Sequence, residues 1–360
     1  MLKKLVAVVV IVIIGALIWL LLPRVPNPAP DSQTELSYAA YDTTLIEQAW
    51  PAPGPDARVR ARMIMSGEEI IFEDGPTDLI MNTHSMRKAV LSLLYGLAVD
   101  QGLIDLDTSL AELGIDEIPP LTDQEKTATI RDLLMFRSGI YLPAAGEHDA
   151  QITQRPARDS HAPGDYFFSN NFDANALGTI FTQETGYEIG PFMEEFLARP
   201  LGMQDFDASN VIIGDPWFWP SQETLHSQYY MYLSTRDTAR IGVLVAQGGA
   251  WNGQQIISRD WMDLSTAPHS DLSESHIVYE RYDAFGYQWS LDSRSGTVWT
   301  DGYGGHFMLS DPARNLTIVE RNYTGNSYLS TARWIFGDDR RSSSVDGMIR
   351  AHALLAGIEN

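Results

Sequence analysis

The chain has 360 residues, 44% hydrophobic and 20% charged, a balance typical of folded globular proteins that argues against disorder over most of its length. Its formal net charge of -22 repels phosphate backbones and anionic headgroups, so neither nucleic-acid binding nor peripheral electrostatic membrane binding is supported. The absence of cysteine removes disulfides, thiolate nucleophiles, cysteine zinc sites and lipidated cysteines, and the eight histidines form no ligand-spaced pair, so no metal or cofactor is expected.

In chain order, Lys3 and Lys4 precede Leu5 to Leu22, a stretch without a polar or charged side chain. As a helix it would extend about 27 Å, close to the thickness of a bilayer core. Residues 1–22 are therefore expected to be one transmembrane helix, and the lysine pair places the body of the protein on the extracytoplasmic, periplasmic side of an inner membrane. The alternative is a signal segment cut in the following stretch, leaving an exported soluble domain. Residues 23–40, with Pro26, Pro28 and Pro30, read as an extended linker.

The remaining domain, 41–360, begins with a short helix over Tyr41 to Trp50 and a hairpin of Ala57 to Met65 with Glu69 to Glu73. Ser85 to Gln101 is apolar nearly all round, as a helix buried between layers must be, and Gly102 ends it. Helical fragments follow at Thr129 to Phe136, Ala174 to Thr185 and Thr235 to Gln247. Strand patterns return at Phe285 to Leu291, Thr297 to Thr300, His306 to Asp311 and Leu316 to Asn322, before a closing helix at Val345 to Ile358. Strands at both ends predict an α/β fold of the α+β type: one antiparallel sheet region at about 41–75 and 269–360, flanked by helices, with a mainly helical region inserted at about 76–268.

His84-Ser85-Met86-Arg87-Lys88 carries the clearest chemistry. Residues three apart on a helix share a face, and a lysine desolvated beside a serine can be neutral near pH 7 and take its proton. A serine at a helix start also offers a backbone N–H to a developing oxyanion. The competing interpretation is that Ser85 caps the helix and Lys88 is a surface charge. Against it stands the apolar surround, which leaves a first-turn lysine in need of a partner or a cleft.

Ser85-Met-Arg-Lys88 and the following Leu-Tyr-Gly-Leu-Ala-Val-Asp-Gln-Gly-Leu-Ile-Asp-Leu-Asp resemble the nucleophile helix of the serine β-lactamase and penicillin-binding-protein superfamily. Thr129 to Gly139, His161 to Gly164, Asn171 to Gly178, Ser234 to Gly242 and Trp251 to Ile257 resemble its class C-like branch, which includes esterases, D-aminopeptidases and aminohexanoate-oligomer hydrolases. The resemblance covers nearly all of residues 41 to 325 and implies a β-lactamase/DD-peptidase-like fold with Ser85 as nucleophile and Lys88 as base.

Aligned on Asn171 and Gly178, the branch's Tyr-x-Asn motif becomes Ser169-Asn170-Asn171. The resemblance then assigns Ser169 as proton relay and Asn171 as the residue orienting Lys88 or a substrate amide, with Tyr166 a less favoured substitute. The third motif, a cation followed by a small residue and glycine, becomes Thr300-Asp301-Gly302. Loss of the cation argues against β-lactams and other carboxylate-bearing substrates. Gly302 still admits close approach, the N–H of Tyr303 falls where the second oxyanion donor belongs, and His306 is either a cleft residue or a sheet filler. The expected activity is a serine hydrolase acting on a small ester or amide. A tethered pseudoenzyme or peptide-binding protein is the alternative, and a D,D-peptidase fits the location but not Asp301.

Overall fold

The computed structural model describes residues 2–22, 35–52, 60–214, 223–274, 281–327 and 345–357, with the side chains of the first helix described from Val9 onward. Residues 57–59 of the expected hairpin, 23–34 of the linker and Ile358 lie outside them.

Alternation of side chains along extended chain builds the centre of the molecule. Strands β1 (Ser37–Tyr38), β2 (Arg60–Ser66) and β3 (Glu69–Asp74) join the C-terminal strands β9 (Ser270–Asp271), β10 (Ala284–Phe285), β11 (Ser290–Asp292), β12 (Thr297–Gly302), β13 (His306–Asp311) and β14 (Leu316–Asn322). Together they form one sheet in the order β1-β3-β2-β14-β13-β12-β11-β10-β9. Every pair is antiparallel except β1 with β3. The β2–β14 register, Ile64 opposite Ile318, is where the two ends of the chain meet.

Period-two alternation divides the core between the two faces of this sheet. Met63, Met65, Met308 and Val319 join the larger cluster under the inserted region, while Ile64, Phe307, Leu309 and Ile318 join a second cluster. The second is closed by helices α2 (Thr44–Ala49) and α12 (Val345–Ala356), through Ile46, Trp50, Met348 and Ala351.

The inserted region contains α3 (Met86–Asp100), α4 (Leu110–Leu113), α5 (Ile130–Leu134), α6 (Asp149–Thr153), α7 (Asn171–Thr185), α8 (Ile189–Met193), α9 (Arg199–Leu201), α10 (Thr235–Ala246) and α11 (Arg259–Ser265). Every α3 residue from Met86 to Ala98 is buried, which explains the lack of a polar face in its sequence. Thr129 starts α5 with the reciprocal cap its sequence offers, its hydroxyl accepting from the Asp132 N–H while Asp132 returns a bond to the Thr129 N–H.

Three expectations change. The stretch Phe285 to Leu291 is two short strands, β10 and β11, because the chain turns through Gly286 to Gln288, with Gln288 at φ +64°. Strands do not wait until after the mainly helical inserted region: within it β4 (Met81–Asn82) and β5 (Val211–Ile213) flank β6 (Tyr229–Leu233) in a small sheet, and β7 (Ala250–Trp251) pairs with β8 (Gln254–Gln255). The N-terminal segment is helical, α1 (Leu2–Leu21), and exposes apolar side chains from Val9 to Leu22. Among the described residues, however, no helix is long and apolar enough to cross a membrane, so α1 stands as an exposed apolar helix and not as the expected span.

Candidate active site

The start of α3 is fixed from three directions. β4 leads into it and pairs with β6, while the N–H and hydroxyl of Thr83 both donate to the Met231 carbonyl at 2.9 and 2.8 Å. Behind it the buried Arg321 of β14 donates to the carbonyls of Met81 (3.0 Å) and Asn82 (3.1 Å), to the Thr238 hydroxyl and to His306 Nδ1 (2.9 Å). Burial lowers its pKa to about 9. His84 takes a left-handed backbone, φ +48°, immediately before the serine, and its N–H is held by Asn82 Oδ1 at 2.8 Å. Such a conformation costs a non-glycine residue energy, and the surrounding bonds impose it.

Ser85 is the N-terminal cap residue of α3, yet its side chain makes no capping hydrogen bond. The N–H groups of Met86, Arg87 and Lys88 are taken by the carbonyls of Thr83, His84 and Ser85 (3.1, 3.3 and 3.0 Å), which leaves the hydroxyl uncommitted. Its partly exposed side chain lines a cleft of about 710 Å³.

Lys88 is 8% exposed, with Nζ 2.9 Å from Asn171 Oδ1 and 5.2 Å from the centre of the Phe136 ring. Burial, followed by the charge of Arg87, lowers its pKa to about 7, while Asp301 and Asp173 oppose the shift. Asp173 does so weakly near neutral pH, because its own burial raises its pKa to about 8. Asn171 opens α7, and its Nδ2 donates to the carbonyls of Gly146 (2.6 Å) and Ala145 (3.3 Å), so its Oδ1 is aimed at the lysine.

The opposite wall is β12. A Cβ on Gly302 would lie 2.4 Å from the Thr83 carbonyl oxygen and 3.3 Å from the His84 Cβ, so only glycine lets the strand pass this close to the start of α3. Asp301 and the exposed Tyr303 line the cleft, with Tyr303 edge-on to His84 at 6.0 Å. The Asp301 side chain keeps contact with solvent, yet the protein around it still removes enough water to raise its pKa. Thr300 is buried and is not among the described residues lining the cleft.

Other candidates fall elsewhere. Ser169 is not among the described lining residues; its carbonyl accepts from Gln151 Nε2 at 3.2 Å. Tyr166 stacks on His161 with ring centres 4.4 Å apart. His306 is the sheet filler of the two alternatives: it is fully buried and packs behind His84 at 5.3 Å, and burial holds its pKa well below the ordinary value.

Several lining residues carried no functional signal in the sequence. Arg87, 3% exposed, stacks over Tyr229 at 4.9 Å and donates to the His84 carbonyl; its motif position gave no hint that it forms part of the cleft floor. Glu147, His148 and Asp149 come from a loop and the start of α6 with no recognisable motif, Tyr230 from the central strand β6 of the small sheet and Gln228 from the residue just before it.

The molecule resembles solved structures over most of its length. A Bacillus anthracis protein described as a 6-aminohexanoate-dimer hydrolase superposes with a TM-score of 0.62 at 16% identity, covering 91% of this chain and 90% of that one. A family VIII carboxylesterase gives 0.59 at 18% identity (86% and 96%), and a penicillin-binding-protein homologue from Caulobacter crescentus gives 0.58 at 17% (86% and 97%). An uncharacterised protein of Alkalihalophilus pseudofirmus is 25% identical over 291 residues, 72% of this chain and 80% of its own. The sequence profile of the Beta-lactamase family matches residues 73–320, from the end of β3 through most of β14, and includes both cleft walls. With more than half its length inside that match, the chain belongs to the Beta-lactamase family.

Proposed function

We propose that this protein is a serine hydrolase that cleaves a small ester or uncharged amide through an acyl-enzyme on Ser85. The family, together with structural neighbours described as a carboxylesterase and as an aminohexanoate-dimer hydrolase, supports hydrolysis in general. The observation that carries the serine assignment is Lys88: buried, held by Asn171, lowered to about pH 7 and one turn from an uncapped serine hydroxyl facing the cleft. Lys88 Nζ takes the Ser85 proton as Oγ bonds to the substrate carbonyl carbon, and the Ser85 and Tyr303 N–H groups receive the oxyanion. The leaving group then departs and water releases the acyl group. Thr300 in place of the motif cation, with Asp301 beside it lining the cleft, supports substrates without a carboxylate at that point. Ser169, two residues before Asn171, is the relay candidate that the sequence supplies.

The test is to label the purified full chain with a fluorophosphonate and assay short-chain nitrophenyl esters. Labelling at Ser85 and loss of hydrolysis in Ser85→Ala are expected. An unlabelled wild-type protein, or a Ser85→Ala variant with unchanged turnover, would favour the second reading, a binding protein of this fold with little turnover. That reading draws on the replacement of the motif tyrosine by Ser169 and of the motif cation by Thr300.

We also propose that α1 attaches the domain to a membrane, supported by its exposed apolar side chains. Recovery of the full chain in a washed membrane fraction is expected; recovery wholly in the soluble fraction would overturn this placement.

A further inference from the structure

We propose that His148 is the proton relay of this acyl transfer, meeting the substrate's leaving group within the cleft; the inference rests on the serine hydrolase reading above. The relay position inherited by Ser169 is not among the described residues that line the cleft, whereas His148 lines it together with Ser85 and Asn171.

The loop carrying His148 is tied at both ends to the same residue that holds Lys88. On one side, the carbonyls of Ala145 and Gly146 accept from Asn171 Nδ2, and that of Ala145 also accepts from Asn175 Nδ2 at 3.1 Å. On the other, Gln151 Nε2 donates to Asn171 Oδ1 at 3.4 Å and to the Ser169 carbonyl at 3.2 Å. His148 lies between these ties, at the cap position of α6, with an exposed side chain. The loop is thereby registered on the Lys88–Asn171 pair, and an imidazole can accept a proton at one nitrogen while giving one from the other.

The charged groups around His148 favour that use. Desolvation and the charge of Lys88 on α3 lower its pKa, while the adjacent Asp149 and Glu147 oppose them, and Glu147 is itself engaged by Arg155. The titratable lining also includes Arg87 on α3, His84 just before it, Tyr230 on β6, Asp301 on β12 and Tyr303 just after it. The resting imidazole is consequently neutral in the neutral pH range, ready to receive a proton from the Lys88 ammonium.

In the acylation step the Ser85 proton passes to Lys88 Nζ as the Oγ–carbon bond forms. When the tetrahedral centre collapses, the carbon–oxygen bond to the leaving group breaks and its electron pair stays on the leaving oxygen. That oxygen takes a proton from one nitrogen of His148 while the other nitrogen receives one from Lys88. The serine proton has then been transferred, in effect, to the alcohol, and Lys88 and His148 are both neutral again. Deacylation runs the same route in reverse, with water in place of the alcohol.

Leaving-group dependence tests this, because nitrophenolate departs without protonation and an alkoxide does not. In the full chain, His148→Gln is expected to lower kcat/KM for an ethyl ester by about 10²-fold or more, and for the matching nitrophenyl ester by no more than about threefold. Fluorophosphonate labelling of Ser85, which expels fluoride, should continue at close to the wild-type rate. An equal fall for both esters would mark His148 as merely structural and overturn the proposal. So would an unchanged ethyl-ester rate, or a Ser169→Ala variant that reproduces the selective loss while His148→Gln does not. A wild-type chain that fails to label brings down the hydrolase reading itself, so the two failures are told apart.

Discussion

The two walls of the cleft differ in how they treat water. On the wall built from α3 and α7, Lys88 and Asn171 are buried, with Lys88 Nζ held by Asn171 Oδ1 and Asn171 Nδ2 held by the Ala145 and Gly146 carbonyls. On the β12 wall Asp301 and Tyr303 keep contact with solvent, and the strand is held close only because position 302 is glycine. Desolvation lowers a lysine's pKa and so can leave it deprotonated, able to accept a proton near neutral pH, and on the proposed reading the proton chemistry belongs to the sealed wall. Substrate selection needs accessible groups, and the sequence departs from the expected cationic pattern on the open wall.

The largest effect that separates the walls should come from Lys88. Lys88→Gln is expected to reduce kcat/KM by about 10³-fold, comparable to loss of a general base. In the wild type, a lysine with a pKa near 7 is protonated and inactive as a base below that value, so kcat/KM should rise as pH increases through about 7. A pH-independent profile in that range, or near-wild-type turnover in Lys88→Gln, would remove Lys88 from the mechanism.

An intermediate effect should follow from coupling the walls too tightly. Gly302→Ala would force β12 away from Thr83, with an expected stability cost of about 1–3 kcal/mol and a fall in kcat of about tenfold or more. Chemical denaturation together with ester kinetics checks both, and an unchanged kcat would mean that the close approach of the strand does not serve the oxyanion.

The smallest effect is expected on the open wall. Asp301 acts to keep the proton on Lys88, so Asp301→Asn should shift the pH limb to lower values while kcat at its plateau changes by less than about threefold. KM for an ester carrying a carboxylate should fall in the same variant, because a repelling charge is gone. If the limb moves upward, Asp301 does not influence the base in the way its position implies.

Much of the sheet was legible in the sequence. His306–Asp311 and Leu316–Asn322 are strands with the expected bounds, and α3 follows its all-apolar pattern to within a residue. Alternation and helical periodicity act over a few residues, so they survive without knowledge of the partner. The β10–β11 turn escaped detection because aromatic residues mask it, and β6 because Tyr229–Leu233 reads as neither a clear strand nor a clear helix without its neighbours β4 and β5.

By itself, the sequence placed Ser85 and Lys88 three residues apart at the start of one helix, and the family resemblance located the altered positions 169 and 300–302. Only the tertiary structure decided that Ser85 leaves its capping bond unmade, that His306 lies beneath His84, and that the loop carrying His148 joins the cleft. Those outcomes depend on contacts between distant segments, such as Lys88 with Asn171 across 83 positions and Arg321 with Met81 across 240. Burial and hydrogen bonding at that range are collective properties of the packed chain, and no local pattern encodes them.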